Sequence, residues 1–447
     1  MADGAKQMIS LNVIRLLLVF CLSSLKFSTN AEKILRMANL VYRHGDRSAI
    51  RSYPSDPYAN YWPQGFGQLT QLGMQQEYYL GKFLRNRYME STNFLNSSYI
   101  RNQVYCRSTD KDRTIMSAQA QLNGLYPPKG PQEWRHNLDW QPIPVHVVPK
   151  NLDKLLYFDV DCLVYSELMD KAMKSASYKR KEAEYKDLLS ALGPHTGRNG
   201  SLDLTEAWNL HDTLFCQKCH NLTLPEWVTD SLMGQLANIS QFMMMLSIQT
   251  DEMARLKGGP LLGEFVKNMR GFANAEDGVR KVYIYSAHDI TVMTLLAALK
   301  LNSGVVPAYS SALMVELYED KDNRSEPTVQ IHYRYGQSNK ASQLIIPGCT
   351  ADCPLNQFIS LTEKMIPQDI DAECGLKDKT CVKTILYKSF LLAFALTLGI
   401  LIFMTLTLCC CWCARRRSRS RAEHVKFDDG LLKNASLLGN QDYDSDS

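Results

Sequence analysis

Arg43, His44 and Arg47 stand within five residues of one another in "LVYRHGDRSAI", directly behind an apolar run, and His288 and Asp289 sit together in "YSAHDITV". With Arg107 of "VYCRSTD" they make up three guanidinium groups, two imidazoles and a carboxyl. That set suits phosphate. Arginine's planar fork matches phosphate oxygens, and its charge does not titrate in the working range. No Gly-rich loop ending in Lys-Ser/Thr accompanies them, which argues against a nucleotide P-loop. Nor are there the carboxylate clusters that hold two metals, so the inventory calls for no metal and no cofactor.

These residues need elements that bring them to one place. "KILRMANLVYR" (Lys33 to Arg43) is apolar almost throughout, which predicts a strand buried on both faces, as in a parallel sheet. Gly45 beyond it lets the backbone turn sharply and approach a ligand. Val104 to Arg107 reads as a second strand. Ser108, Thr109 and Asp110 are capping types before a helix from about Lys111 to Leu125. Val282 to Ser286 reads as a third strand, followed by a helix over Thr291 to Leu301. In open α/β sheets ligands bind beyond the carboxyl ends of the strands. Taken singly, an Arg-His pair is a surface feature and a His-Asp pair a helix cap; recurrence at three strand ends is what argues for a site. Between these flanks, about residues 150–270, "SELMDKAMKSASYKRKEAEYKDLL" and "SQFMMMLSIQTDEMARL" are rich in helix formers. They predict a helical insertion that walls the pocket, with Met243, Met244 and Met245 in its core.

The 447 residues can bury a large core, and a net charge of +4 is too small for this length to point to nucleic acid. The ends say more. Lys6 and Arg15 precede the apolar run "LLLVFCL", and Thr29 and Ala31 fit the small-residue rule for cleavage, so residues 1–31 read as a signal peptide. Phe390 to Ala414 is an uncharged apolar stretch of 25 residues, long enough to span a bilayer as a helix, and "RRRSRSR" follows it. The expected layout is a lumenal or extracellular domain over 32–388, one transmembrane helix over 389–414 and a cytoplasmic tail over 415–447, a single-pass type I protein. Asn-X-Ser/Thr acceptors at Asn96, Asn199, Asn221, Asn238 and Asn323 agree with a glycosylated chain of the secretory pathway. Cys409, Cys410, Cys411 and Cys413 fall at the inner membrane face and are candidates for palmitoylation rather than for disulfides. Cys216-Gln-Lys-Cys219 with His220 has no second ligand pair at finger-like spacing, which argues against zinc. "DDGLL" in the tail, with Asp429 and Leu432, resembles acidic-dileucine signals read by sorting adaptors.

"RHGDR" followed far downstream by "SAHD" resembles the histidine acid phosphatases, most of all their membrane-anchored lysosomal and prostatic-type branch. "PQGFGQLTQLGMQQ", "VYCRSTDKDRT", "WQPIPVH" and "IPGCTADCPL" match that branch in order and spacing, over about residues 33–375. The resemblance implies a mostly parallel α/β sheet flanked by helices, an acid phosphatase acting on phosphate monoesters, a homodimer, and residence in lysosomes, endosomes or the plasma membrane. It makes His44 the nucleophile that forms a phosphohistidine. Arg43, Arg47, Arg107 and His288 would hold the phosphoryl oxygens, and Asp289 would protonate the leaving group. Neighbouring arginines favour neutral His44, which keeps its lone pair in acid, while Asp289 must carry a proton; an acidic optimum follows. Asp46, Asp110 and Arg113 also match family positions and are expected to orient the arginines.

The resemblance further implies disulfides Cys162–Cys374 and Cys349–Cys353. Ala312 stands where the family carries the partner of Cys216, so Cys216 is expected to pair with Cys219, leaving Cys106 and Cys381 unassigned. Ala49 replaces a proline common in the family. Rival readings are a lysophospholipid or inositol-phosphate phosphatase of the same superfamily, differing in pocket walls, and a catalytically silent membrane adaptor. Every motif position expected to do chemistry is filled, which speaks against the adaptor.

Overall fold

The computed structural model describes residues 32–321 and 326–436. The expected signal peptide and Asn323 lie outside them. The side chains of Cys381 and of the DDGLL tail are likewise undescribed. The chain divides into two units, one ending at Gly375 and one starting at Leu376.

The first unit is built on a mixed sheet. In chain order its opening elements are β1 (Lys33–Arg43), α1 (Gln71–Arg85), β2 (Val104–Thr109), α2 (Asp112–Leu125) and β3 (His146–Val148). Six helices follow: α3 (Leu163–Met173), α4 (Ala176–Glu184), α5 (Lys186–His195), α6 (Leu204–Cys219), α7 (Asp230–Leu246) and α8 (Asp251–Ala273). Then come β4 (Val282–Ala287), α9 (Asp289–Ala298), β5 (Ala312–Asp320), β6 (Thr328–Arg334), β7 (Ser342–Leu344), β8 (Cys353–Pro354), α10 (Leu355–Thr362) and α11 (Ile370–Glu373). The strand order is β3-β2-β4-β1-β5-β6-β7, with β8 on β6. The half from β3 to β1 is parallel; from β1 onward every pairing is antiparallel. The expected parallel sheet is thus the half that carries the chemistry. The rest is an antiparallel extension that the β1 pattern, buried on both faces in either case, does not reveal.

Alternation along β1 feeds two cores. Met37 and Val41 pack with Leu262, Phe265 and Leu295 of α8 and α9. Ala38, Leu40 and Tyr42 pack with Leu80, Leu84 and Leu122 of α1 and α2 on the other face. The helices from α3 to α7 share a third core of their own, which includes Tyr185, Leu214, Leu236 and Met243. The expected insertion is helical as its composition predicts, but α8, inside its expected span, belongs to the sheet. Disulfides join Cys162 to Cys374 and Cys349 to Cys353. Cys216 and Cys219 are both free, against expectation. α6 stays helical through Cys219, and the two side chains diverge: Cys216 is buried and Cys219 exposed.

Among the described residues the second unit is one helix, α12 (Leu376–Ser436). Its stretch Tyr387–Arg419 is long and apolar enough to cross a membrane. Thr397, Thr405 and Thr407 donate their hydroxyls back to the carbonyls of Phe394, Ile402 and Met404, so these three groups are satisfied within the helix.

One buried ion pair ties α1 to the sheet. The helix continues into a wider turn, Asn86–Glu90, and Arg87 donates twice, each at 2.6 Å, to Glu316 of β5, which is wholly buried. Tyr88 and Tyr318 hydroxyls donate to the same carboxylate at 2.8 Å. Removing only the cation leaves an uncompensated buried charge. Arg87→Met is therefore expected to destabilise the protein by about 3–5 kcal/mol, and Arg87→Met/Glu316→Gln to recover most of that loss. Chemical denaturation of the detergent-solubilised chain checks it; equal stability of the single and double variants would contradict the account.

Candidate active site

The registers of the parallel strands decide what meets. Arg43 pairs with Ala287 across β1 and β4, and the His44 N–H donates to the Ala287 carbonyl at 3.0 Å. The two chain ends therefore leave the sheet side by side, one into "RHGDR" and the other into His288 and the first residue of α9. A Cβ on Gly45 would run into the carbonyl of Gly73, and one on Gly73 into that of Asp46. The glycine in this motif thus serves close approach to α1 rather than to a ligand. Thr70 caps α1 by accepting from Gly73 N–H at 3.1 Å, and donates to Asp46 at 2.6 Å.

His44 is 2% exposed. Its Nδ1 faces the Gly45 carbonyl at 2.8 Å, an acceptor only, so Nδ1 carries the proton and Nε2 the lone pair. Arg113 Nε donates to that Nε2 at 3.0 Å. Burial, then Arg113, His288, Arg43 and Arg47, hold the imidazole well below its ordinary range. It stays neutral in acid. Arg113 Nη2 lies 3.4 Å from Nδ1 of His288, whose Nε2 lies 3.0 Å from Thr109 Oγ1. The first contact makes Nδ1 the acceptor and Nε2 the donor to threonine. Burial and then Arg113 bring His288 down to about 3. Asp289 receives the Ile290 N–H at 2.8 Å and pairs with Arg43 Nη2 at 2.8 Å. Burial pushes its carboxyl up, but Arg43, Arg47 and His288 outweigh it, and the net direction is down.

Arg43 is fixed on three sides. Besides Asp289, it donates to the Pro307 carbonyl at 2.6 Å and lies 4.1 Å from the centre of the Tyr309 ring. The loop that supplies both ends at Ser310, which sits at φ +63°. Arg334 secures that strained residue by donating to its carbonyl at 2.9 Å.

A pocket of about 1000 Å³ opens over these groups, lined by Arg43, His44, Arg47, Arg113, His288 and Asp289. Trp208, Phe215 and Met244 from α6 and α7 form an apolar wall, and Lys111 and Lys150 stand among its cations. Of the six residues expected at the strand ends, five line it.

Arg107 does not, and Arg113 takes its place. β2 runs on to Thr109, so Arg107 pairs with Tyr285, two residues short of Ala287, and lies inside the sheet rather than at its end. Its guanidinium forms an ion pair with Asp153, a buried carboxylate that also receives the Leu156 N–H at 3.0 Å. Arg113, in the first turn of α2, reaches both histidines. Asp46 does not orient an arginine: it is buried, and its other partner is His220 Nε2 at 2.7 Å. Asp110 is absent from the pocket lining, where Lys111 and Asp112 stand. Asn96, Asn199, Asn221 and Asn238 are all exposed.

The profile of the histidine phosphatase superfamily (branch 2) matches residues 34–334. The chain is 42% identical over 376 residues to prostatic acid phosphatase of Bos taurus, covering 83% of this chain and 95% of that protein. It is 43% identical over 349 residues to lysosomal acid phosphatase of Homo sapiens, covering 76% and 80%. Among solved structures, the phytase from Citrobacter braakii superposes with a TM-score of 0.58 at 17% identity, over 76% of this chain and 99% of that one, a likeness of fold alone.

Asp212 was invisible to motif reading. It lies on α6, 165 residues from Arg47, and accepts from it in bidentate fashion at 2.8 and 3.1 Å. It also receives the Ile50 N–H at 3.0 Å. Burial pushes its carboxyl up, and Arg47 overrides this to hold it below the usual range. Only its position one turn from Trp208 and from Phe215, on the pocket face of the helix, marks it in the sequence. Asp212→Asn keeps the shape and removes the charge. It is expected to lower kcat/KM for an aryl phosphate by about one to two orders of magnitude, a loss of ~1.5–3 kcal/mol. Asp212→Glu should restore part of it. Steady-state kinetics check this, and wild-type values in Asp212→Asn would refute it.

Proposed function

The chain belongs to the histidine phosphatase superfamily, branch 2, and is an acid phosphatase; we propose that it hydrolyses phosphate monoesters through a phosphohistidine on His44. The observation that carries this reading is the state of His44: a neutral imidazole whose proton is committed to the Gly45 carbonyl and whose Nε2 lone pair faces the guanidinium cluster.

In the proposed reaction the phosphoryl oxygens draw Arg113 off that lone pair and lie among Arg43, Arg47, Arg113 and His288, whose proton moves to Nδ1 to face them while the Thr109 hydroxyl donates to Nε2. Nε2 then attacks phosphorus in line, forming an N–P bond as the ester P–O bond breaks. Positive charge that develops on His44 is balanced by the departing negative charge of the oxygen. Asp289 supplies the proton that makes the leaving group an alcohol. Without substrate this carboxyl is ionised by its cationic neighbours. A bound phosphoryl dianion cancels their field and adds negative charge of its own, so the carboxyl takes up a proton when the substrate arrives. Water, deprotonated by the same carboxylate, then attacks the phosphohistidine and returns His44 to its neutral form.

The same proposal places the protein in the membrane through Tyr387–Arg419, with the catalytic unit lumenal or extracellular, a signal peptide removed, glycans on the exposed acceptors and the tail open to sorting adaptors. Lysosomal acid phosphatases among its relatives support a lysosomal or endosomal site. For a homodimer, the support is the exposed edge strand β3, where His146 and Val147 are both open.

His44→Ala is expected to abolish turnover, and labelled phosphate from substrate, trapped by an alkaline quench, should map to His44. Label on another side chain would overturn the mechanism. Binding of sulfate, a dianion that does not titrate near pH 5, should draw in a proton at about that pH, because the Asp289 pKa rises from below its usual value to above the ambient pH. Calorimetry in buffers of different ionisation enthalpy reads that proton, and Asp289→Asn should lose it. Uptake unchanged in Asp289→Asn would remove the carboxyl from this role.

A further inference from the structure

The catalytic unit leaves one dense group of nucleophiles unused. Cys409, Cys410, Cys411 and Cys413 are free and exposed on α12. Phe390 to Leu408, the uncharged stretch before them, is 19 residues long, so it rises ~28 Å against a hydrocarbon core of ~30 Å. The thiols therefore fall at the far boundary of a bilayer crossed by this helix. Arg415, Arg416, Arg417, Arg419 and Arg421 begin two residues further on. Trp412 packs 5.3 Å from the Arg416 guanidinium, an aromatic–cation pair suited to the headgroup layer.

The arrangement around the helix axis limits what these thiols can do. Relative to Cys409, Cys413 lies about 40° round, Cys410 about 100° and Cys411 about 200°. Cys409, Cys413 and Cys410 fall within an arc of about 100° and Cys411 lies on the far side, so the helix cannot turn all four thiols to one metal ion. A partner helix would cover one side and leave the others. Hydrocarbon chains that turn back into the bilayer can be accommodated on every side. On the arginine side of the membrane the surroundings are reducing, which argues against disulfides.

We propose that Cys409, Cys410, Cys411 and Cys413 are acceptors for long-chain fatty acyl groups, carried as thioesters in a collar at the cytoplasmic membrane boundary. The inference rests on the transmembrane reading of α12. Each step is a transfer from a long-chain acyl-coenzyme A. The cysteine thiolate attacks the acyl carbonyl carbon and a new C–S bond forms. The C–S bond to coenzyme A breaks, and coenzyme A leaves as a thiolate that takes up the proton the cysteine gave up. No oxidation state changes. The arginine run contributes by drawing in the phosphates of the donor and the anionic lipid surface.

The full chain is expressed in cultured animal cells fed an alkynyl sixteen-carbon fatty acid, captured, and coupled to a reporter. Wild type should carry label that neutral hydroxylamine removes. Exchange of thioesters for a polyethylene-glycol tag should give up to four mass steps, one for each of the four cysteines. Replacing all four by serine should lose both signals while phosphatase activity and resistance to alkaline carbonate extraction stay at wild-type level. A carbonate-resistant wild-type chain without label, label that survives in the four-serine variant, or a covalent dimer through these cysteines in place of thioesters would each overturn the acylation alone. Extraction of the wild-type chain by alkaline carbonate would overturn the transmembrane reading and this inference with it. Neither result touches the phosphatase reading, which the aryl phosphate assay follows separately.

Discussion

A neutral imidazole buried among guanidinium groups is the constraint on which the rest of the catalytic unit depends. Three arginines around one side chain repel one another and lose hydration, so each needs a carboxylate or carbonyl placed with little freedom. Arg43 has Asp289 and the Pro307 carbonyl. Arg47 has Asp212. Arg113 has the lone pairs of two imidazoles and the Gly67 carbonyl at 3.3 Å. The partners come from a helix start, from the helical insertion, and from loops on both sides of the sheet. The insertion is thus a source of countercharge as well as a wall, and its own core keeps Asp212 in place.

The same electrostatics explain why an acid-working site can use histidine at all. The field that helps to keep His44 unprotonated also strips the proton from Asp289, which would need one to act as the acid of the proposed mechanism. A static site cannot satisfy both demands. In the proposed mechanism the substrate would resolve the conflict: its negative charge relieves the field at Asp289, while burial, the largest cause acting on His44, still keeps that imidazole neutral. On that proposal, protonation of Asp289 is coupled to occupancy of the site.

Support for the loop that carries these groups is steric. Gly45 and Gly73 let the "RHGDR" turn lie against the start of α1, where Thr70 serves both as cap and as partner of Asp46. His220 completes that contact from the end of α6. Asp46 therefore joins the turn, α1 and the insertion at one point, which accounts for its burial although no arginine touches it.

The identity and order of the chemical groups were legible in the sequence, because apolar runs that end in Arg-His or His-Asp fix the strand ends by local pattern. So were the helical character of the insertion and two disulfides, the latter by resemblance. Which arginine faces the two histidines was not legible. β2 extends two residues past Arg107, and a register shift of that size, set by hydrogen bonds to β4, moves the guanidinium from the sheet end to Asp153. Nor could spacing assign Asp212 to Arg47 across 165 residues or keep Cys216 and Cys219 apart at the end of a continuous helix. Periodicity and residue type act over a few neighbours and belong to the sequence alone. Register, countercharge and the direction of a side chain depend on which distant elements pack together, and those only the tertiary structure decided.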